Sequence, residues 1–128
     1  MALIDIPADK IADALREGEE ASAAELLGLA TSRDAKIRES VATRSDAPLS
    51  VLIHLAQDSK VSVRLALASN PGIATMASVI DLLAADKDHD VVLALVNNTS
   101  ISVTRLAQLS DHSKKRVRQA FTDRLALV

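Results

Sequence analysis

The chain has 128 residues, with 15 lysines and arginines against 17 aspartates and glutamates, a formal net charge of −2. It contains 22 Ala and 18 Leu, one aromatic residue (Phe121), and no Cys, Trp or Tyr. That composition excludes a disulfide framework, a cysteine-ligated metal or cluster, a cysteine nucleophile and recognition by stacked aromatics, and it points to one soluble, all-α domain with an aliphatic core.

The opening segment Met-Ala-Leu-Ile-Asp-Ile-Pro lacks the basic region and long apolar stretch of a signal peptide. No apolar run approaches the ~18 residues that span a bilayer. A cytoplasmic location without membrane association is therefore expected. Residues 1–30 carry seven acids against Lys10 and Arg16, a net −5. Helices are expected over 8–17 and 20–31, forming an acidic N-terminal cap.

From residue 31 onwards the chain repeats itself. Ile37, Val63, Val91 and Val117 are 26, 28 and 26 residues apart, and Leu29, Leu55, Leu83 and Leu109 show the same spacing. The middle interval has two extra residues, between Asn70 and Ile80, beside Pro71-Gly72. After each anchor, apolar residues recur at helical spacing: Val63, Ala66, Leu67, then Val91, Ala94, Leu95, then Val117, Ala120, Phe121. A second stripe runs through Leu52/Leu55, Ile80/Leu83 and Leu106/Leu109. Breakers separate the two patterns at 45–48, 70–72 and 98–100. Helices are predicted over 35–44, 48–57, 60–70, 74–85, 89–97, 102–110 and 114–125. Such short helices are marginal alone, so successive pairs must stack to bury their stripes. The expected fold is a short right-handed α-α superhelix, or solenoid, of about four helix pairs plus the cap. It forms a single domain over 1–128, with cap helices in 1–30 and repeats of about 26 residues over 31–128. Phe121, in register with Leu67 and Leu95, is expected to plug the end of the stack.

Several residues carry a family resemblance. They are Asn70-Pro71, Val63-Arg64, Pro48 four residues after Arg44, and Leu-x-x-Leu-Ala from Leu52 to Ala56 followed by Asp58. Together they resemble the leucine-rich repeat variant, a helical repeat related in style to HEAT repeats. HEAT units similarly place an aspartate six positions before an arginine, as Asp58 precedes Arg64. The resemblance covers roughly residues 26–128. It departs in period, since the variant repeats are shorter than 26 residues and HEAT repeats are longer. It implies a helical superhelix used for binding. The iron–sulfur segment of some members does not carry over, because the chain has no cysteine.

Arg38, Arg64 and Arg118 recur at one register and Val92 interrupts them. Such a row suits either phosphate contacts or an internal ladder, with Arg64 bonded to Asp58 or to Asp86 of the next unit. Asp86, Asp88 and Asp90 have the spacing that starts a calcium loop, but Val91 and Asn97 stand where that loop needs Gly and Glu. Helix N-terminal acids are the better reading. His89 and His112 fall in successive loops and can approach each other. No catalytic constellation, cofactor site or metal site emerges.

The helix over 89–97 is apolar on every face, which requires burial on both sides or a partner. Leu65, Val92, Leu93 and Val96 are the candidate apolar patch on the concave surface. The expected function is thus a non-enzymatic scaffold that binds a protein partner, with self-association as one form of it. The alternative is phosphate-backbone binding of nucleic acid by Arg64, Lys114, Lys115, Arg116 and Arg118. Residues 101–128 carry a net +4, and this end could also meet the acidic cap of another copy.

Overall fold

The computed structural model describes residues 22–127, and every regular element among them is helical. The expected helix over 8–17 lies outside the described residues. Helix α1 (Ala23–Ala30) starts from a reciprocal cap: the Ser22 hydroxyl accepts from the Glu25 amide, and the Glu25 carboxylate accepts from the Ser22 amide. Helix α2 (Ala35–Ala42) starts at Asp34, whose carboxylate accepts from the Lys36 amide at 2.9 Å. Helix α3 (Leu49–Ala56) follows Pro48, which has no amide hydrogen to leave unsatisfied. Helix α4 (Val61–Ala68) precedes a 3-10 turn at Pro71–Ile73. Then come α5 (Ala77–Ala84), α6 (His89–Val96), a 3-10 helix at Val103–Asp111, and α7 (Lys115–Leu125).

Each α-helix from α1 to α6 has eight residues, too few to persist alone in water. Packing holds them. Helices α1, α3, α5 and the 3-10 helix contact one another in that order, as do α2, α4, α6 and α7. Within each unit the two members also pack together: α1 on α2, α3 on α4, α5 on α6, and the 3-10 helix on α7. The apolar residues between these elements form one core cluster from Leu26 to Phe121. The two anchor series read from the sequence, Ile37/Val63/Val91/Val117 and Leu29/Leu55/Leu83/Leu109, are buried at every member.

Two elements differ from expectation. The segment expected as a helix over 74–85 begins only at Ala77, because the two extra residues of this unit fall between buried Ile73 and the start of α5. Ile73 keeps the core register shared with Ala47 and Ile101. Gly72 lies against the preceding unit, and a Cβ there would be 2.8 Å from the Ser45 Cα. The segment expected as an α-helix over 102–110 is a 3-10 helix. In α3 and α5 the buried face has four residues, Val51/Leu52/Leu55/Ala56 and Val79/Ile80/Leu83/Ala84. In the last unit Arg105 and Ser110 replace the outer two, leaving only Leu106 and Leu109 buried. Residues three apart eclipse in a 3-10 helix, so that winding keeps this single row on the core.

Candidate functional site

The connections between units carry a repeating polar device. Ser32, Asp58, Asp86 and His112 occupy equivalent loop positions, again 26, 28 and 26 residues apart. The side chain of each accepts from the backbone amide two residues on: Asp34 at 3.1 Å, Lys60 and Asp88 at 2.9 Å, and Lys114 at 3.0 Å. Six residues after each lies Arg38, Arg64, Val92 or Arg118. In all three arginines NH1 donates to the carbonyl six residues back (Ser32, Asp58, His112) at 2.6 Å. The guanidinium so pinned turns its other edge to the next unit. Arg38 grips Asp58 through Nε at 2.7 Å and NH2 at 3.2 Å. Arg64 grips Asp86 through Nε at 2.7 Å and NH2 at 3.3 Å. Both carboxylates are 6% exposed. Bidentate pairing of a planar fork with a carboxylate fixes direction as well as distance, so each pair sets the register of one unit on the next.

The Arg–Asp ladder read from the sequence is therefore present, with Asp86 as the carboxylate partner of Arg64 and Asp58 contributing its carbonyl. Burial pushes the Asp58 carboxyl up, but hydrogen bonds from Arg38 and the Lys60 amide, with the charges of Arg38 and His54, outweigh it and hold the group below the usual carboxylate range. A cleft of about 400 Å³ opens beside this first pair, lined by Thr31, Ser32, His54 and Ser59. Its Arg38 and Asp58 satisfy each other.

A second ladder, unread in the sequence, runs along the opposite connections. Asn70 is 2% exposed and donates to the carbonyls of Ala42 and Arg44 at 2.8 and 2.9 Å, while accepting from the Gly72 amide at 2.8 Å. Asn98 is 7% exposed and donates to Ala68 and Asn70 at 2.9 and 3.0 Å, while accepting from Ser100. The Ala42 and Ala68 carbonyls are ones that a helix C-terminus leaves without partners. In the last unit Arg124 takes the same register and donates to the carbonyls of Val96 and Ile101. The signal was present in the series Arg44, Asn70, Asn98, Arg124, which repeats the 26, 28, 26 spacing. It was hidden because Asn beside Pro or Thr-Ser reads equally well as a turn.

The candidate patch changes in composition. Val92 and Val96 are 0% exposed and belong to the core. Val96 holds the register of buried Ala42 and Ala68, and Val92 has no polar tip to carry it outwards as the arginines have. Leu65 and Leu93 are half-buried and lie one unit apart on α4 and α6, beside half-buried Ala66 and Ala94. Glu39 and Gln119 continue their row at the two ends. The apolar helix over 89–97 is thus explained mainly by burial, with Leu93 as its outward residue.

The basic candidates do not form one row. Arg64 is committed to Asp86, and Arg116 pairs with Asp90 of the preceding unit at 2.7 Å across open surface. Lys114 and Lys115 are exposed. Among the described residues, the Arg118 guanidinium bonds to the His112 carbonyl alone. His89 and His112 do meet, with ring centroids 5.6 Å apart and edge to face. The His112 Nδ1 accepts from Lys114, and no group of three or more metal-ligating side chains forms among the described residues. The Asp86, Asp88 and Asp90 carboxylates turn to Arg64, the α6 N-terminus and Arg116 respectively. No helix among the described residues is long and apolar enough to cross a membrane.

Comparison of the chain with protein-family models, with curated proteins and with solved structures finds no match.

Proposed function

We propose that this protein is a short right-handed α-solenoid, of the style of the leucine-rich repeat variant and HEAT repeats, that acts as a non-enzymatic, cytoplasmic scaffold for a protein partner. The arrangement that supports a solenoid is the contact of each element with the one two places on, combined with two polar ladders in a single 26/28/26 register. Stacked units of that kind create an extended surface from equivalent positions of successive helices. The surface in this chain is the row on α2, α4, α6 and α7.

The observation that carries the reading is the pair Leu65 and Leu93. Both lie on that row, and the small half-buried residues Ser40, Ala66, Ala94 and Ala120 run beside them at the same depth. Two leucines flanked by small side chains offer apolar contact without blocking approach, and Glu39 and Gln119 provide a polar rim. Nucleic-acid binding is the weaker reading, since two cations of the proposed set, Arg64 and Arg116, already pair with carboxylates.

The test is Leu93→Glu in the full chain. Expected is an unchanged helical circular dichroism spectrum with loss of a partner that the wild-type protein captures. Unchanged capture with an unchanged fold removes this surface as the interface. A mobility-shift series against duplex DNA checks the other class, because phosphate binding must weaken steeply as salt rises.

A further inference from the structure

The two internal Arg–Asp pairs serve as templates for a third arginine. In Arg38 and Arg64 the same two conditions hold: NH1 is pinned to the carbonyl six residues back at 2.6 Å, and the Nε/NH2 edge meets a carboxylate at 2.7 Å and 3.2–3.3 Å. Arg118 meets the first condition with the same atom at the same distance, NH1 to the His112 carbonyl at 2.6 Å. Its Nε/NH2 edge meets no acceptor among the described residues. The fork is therefore oriented by the fold and half-buried, and no carboxylate of the described residues meets the edge that Asp58 and Asp86 meet in the two templates. Holding a guanidinium in one geometry normally costs side-chain entropy, and here the His112 carbonyl has already fixed it.

We infer that Arg118 is a carboxylate receptor on the end face of the repeat, and that its occupant is an acidic side chain from the N-terminal region of a second copy of this chain. Charge complementarity selects this occupant. Residues 1–30 carry a net −5 and residues 101–128 a net +4, in a chain whose overall charge is only −2. Lys114 and Lys115, both exposed, lie beside the receptor and extend the positive field. Association between two different segments of one chain is heterologous, so successive copies can add head to tail. This surface is separate from the Leu65/Leu93 row, and the inference stands or falls independently of it.

The test is sedimentation of the full-length protein over a concentration series at about 50 mM and about 500 mM salt. Expected is concentration-dependent self-association at low salt that weakens at high salt. Arg118→Ala is expected to raise the dissociation constant about thirtyfold, as loss of one partner of a desolvated bidentate pair does. Arg118→Lys keeps the charge and a donor for the His112 carbonyl but loses the planar fork, and it should also weaken association. Arg116→Ala removes the same charge from a neighbouring exposed site, and Leu93→Glu alters the other surface. Both should change the constant by less than about threefold. Carbodiimide coupling in a mixture of isotopically labelled and unlabelled chains should join Lys114 or Lys115 of one copy to a carboxylate within residues 5–25 of the other. A protein that stays monomeric at low salt overturns the inference. So does equal weakening by Arg118→Ala and Arg116→Ala, or coupling confined to single copies.

Discussion

Val92 and His112 occupy the two halves of one absent ion pair. In the two preceding units an arginine at the register of Val92 grips an aspartate at the register of His112. Here both members have changed together. A lone aspartate at 112 would be a carboxylate without its guanidinium, and a lone arginine at 92 would be an unpaired cation at a register where the paired arginines are only 13% and 16% exposed. His112 keeps the local duty of the aspartate, accepting from the amide two residues on, and drops the link between units. His89 meets the His112 ring edge to face.

This predicts a strong coupling between the two sites. Val92→Arg alone should destabilise the chain by about 3 kcal/mol or more, since it buries an unpaired charge. Combining it with His112→Asp should recover a large part of that loss by installing a third pair in the geometry of the first two. Urea denaturation of both single variants and the double variant measures the coupling energy. Simple additivity would show that the register does not bring 92 and 112 together.

Arg64→Ala leaves the Asp86 carboxylate 6% exposed and without its bidentate partner. A loss of about 3 kcal/mol is expected in chemical denaturation. Replacing both members, as Arg64→Met with Asp86→Asn, should cost clearly less than Arg64→Ala, because no buried charge is then left unpaired. Arg116→Ala, whose pair with Asp90 is well exposed, is expected to change stability by less than about 0.5 kcal/mol.

Asn98→Ala leaves the Ala68 carbonyl without its donor and the Asn70 carbonyl with the Ile73 amide alone. The expected cost is about 2 kcal/mol, the scale of a buried polar group deprived of its partner. Asn98→Asp should be at least as damaging, because it supplies an acceptor where two carbonyls need a donor. Thermal unfolding followed by circular dichroism checks the order.

The pH dependence has two parts. Burial, then the charges of His89, Arg118 and Lys114, hold His112 below the usual histidine range. The folded chain therefore binds fewer protons at this site than the unfolded chain, and stability falls as pH drops below about 6.5 through the folded value. Protonation also turns Nδ1 from acceptor to donor, against the Lys114 amide. Asp58, held low by Arg38, contributes stability above the ordinary carboxylate value near 4 and loses it as pH falls through its own lower value. Unfolding midpoints measured from pH 8 to pH 3 should decline in both windows. The upper decline should vanish in His112→Gln while the lower one remains.

The repeat was legible because core positions between stacked helices demand one residue class at fixed intervals. Ile37, Val63, Val91 and Val117 follow that interval, and all are buried. An Arg–Asp ladder was legible for the same reason, as two charges recurring at one period, but whether Arg64 takes the Asp58 or the Asp86 carboxylate was not. The asparagine ladder was not, because Asn70 beside Pro71 has a sufficient local explanation as a turn. Exposure was not legible either. Leu93 and Val92 are adjacent apolar residues, and nothing in the residue types says that one is covered and the other half-open.

Residue type and spacing alone specify the helical class, the 26/28/26 register and an aliphatic core with a single aromatic at its end, because local propensity and periodic burial act through them. Phe121 is 4% exposed at the core register expected for it. The stacking of the units settled which side of each helix is covered, which carbonyls Asn70 and Asn98 satisfy, and which arginine of the 38/64/118 row meets no carboxylate among the described residues. Those outcomes depend on groups about 20 to 30 residues apart in the chain, such as Arg38 with Asp58 and Asn98 with Ala68, whose approach is fixed by how whole units stack.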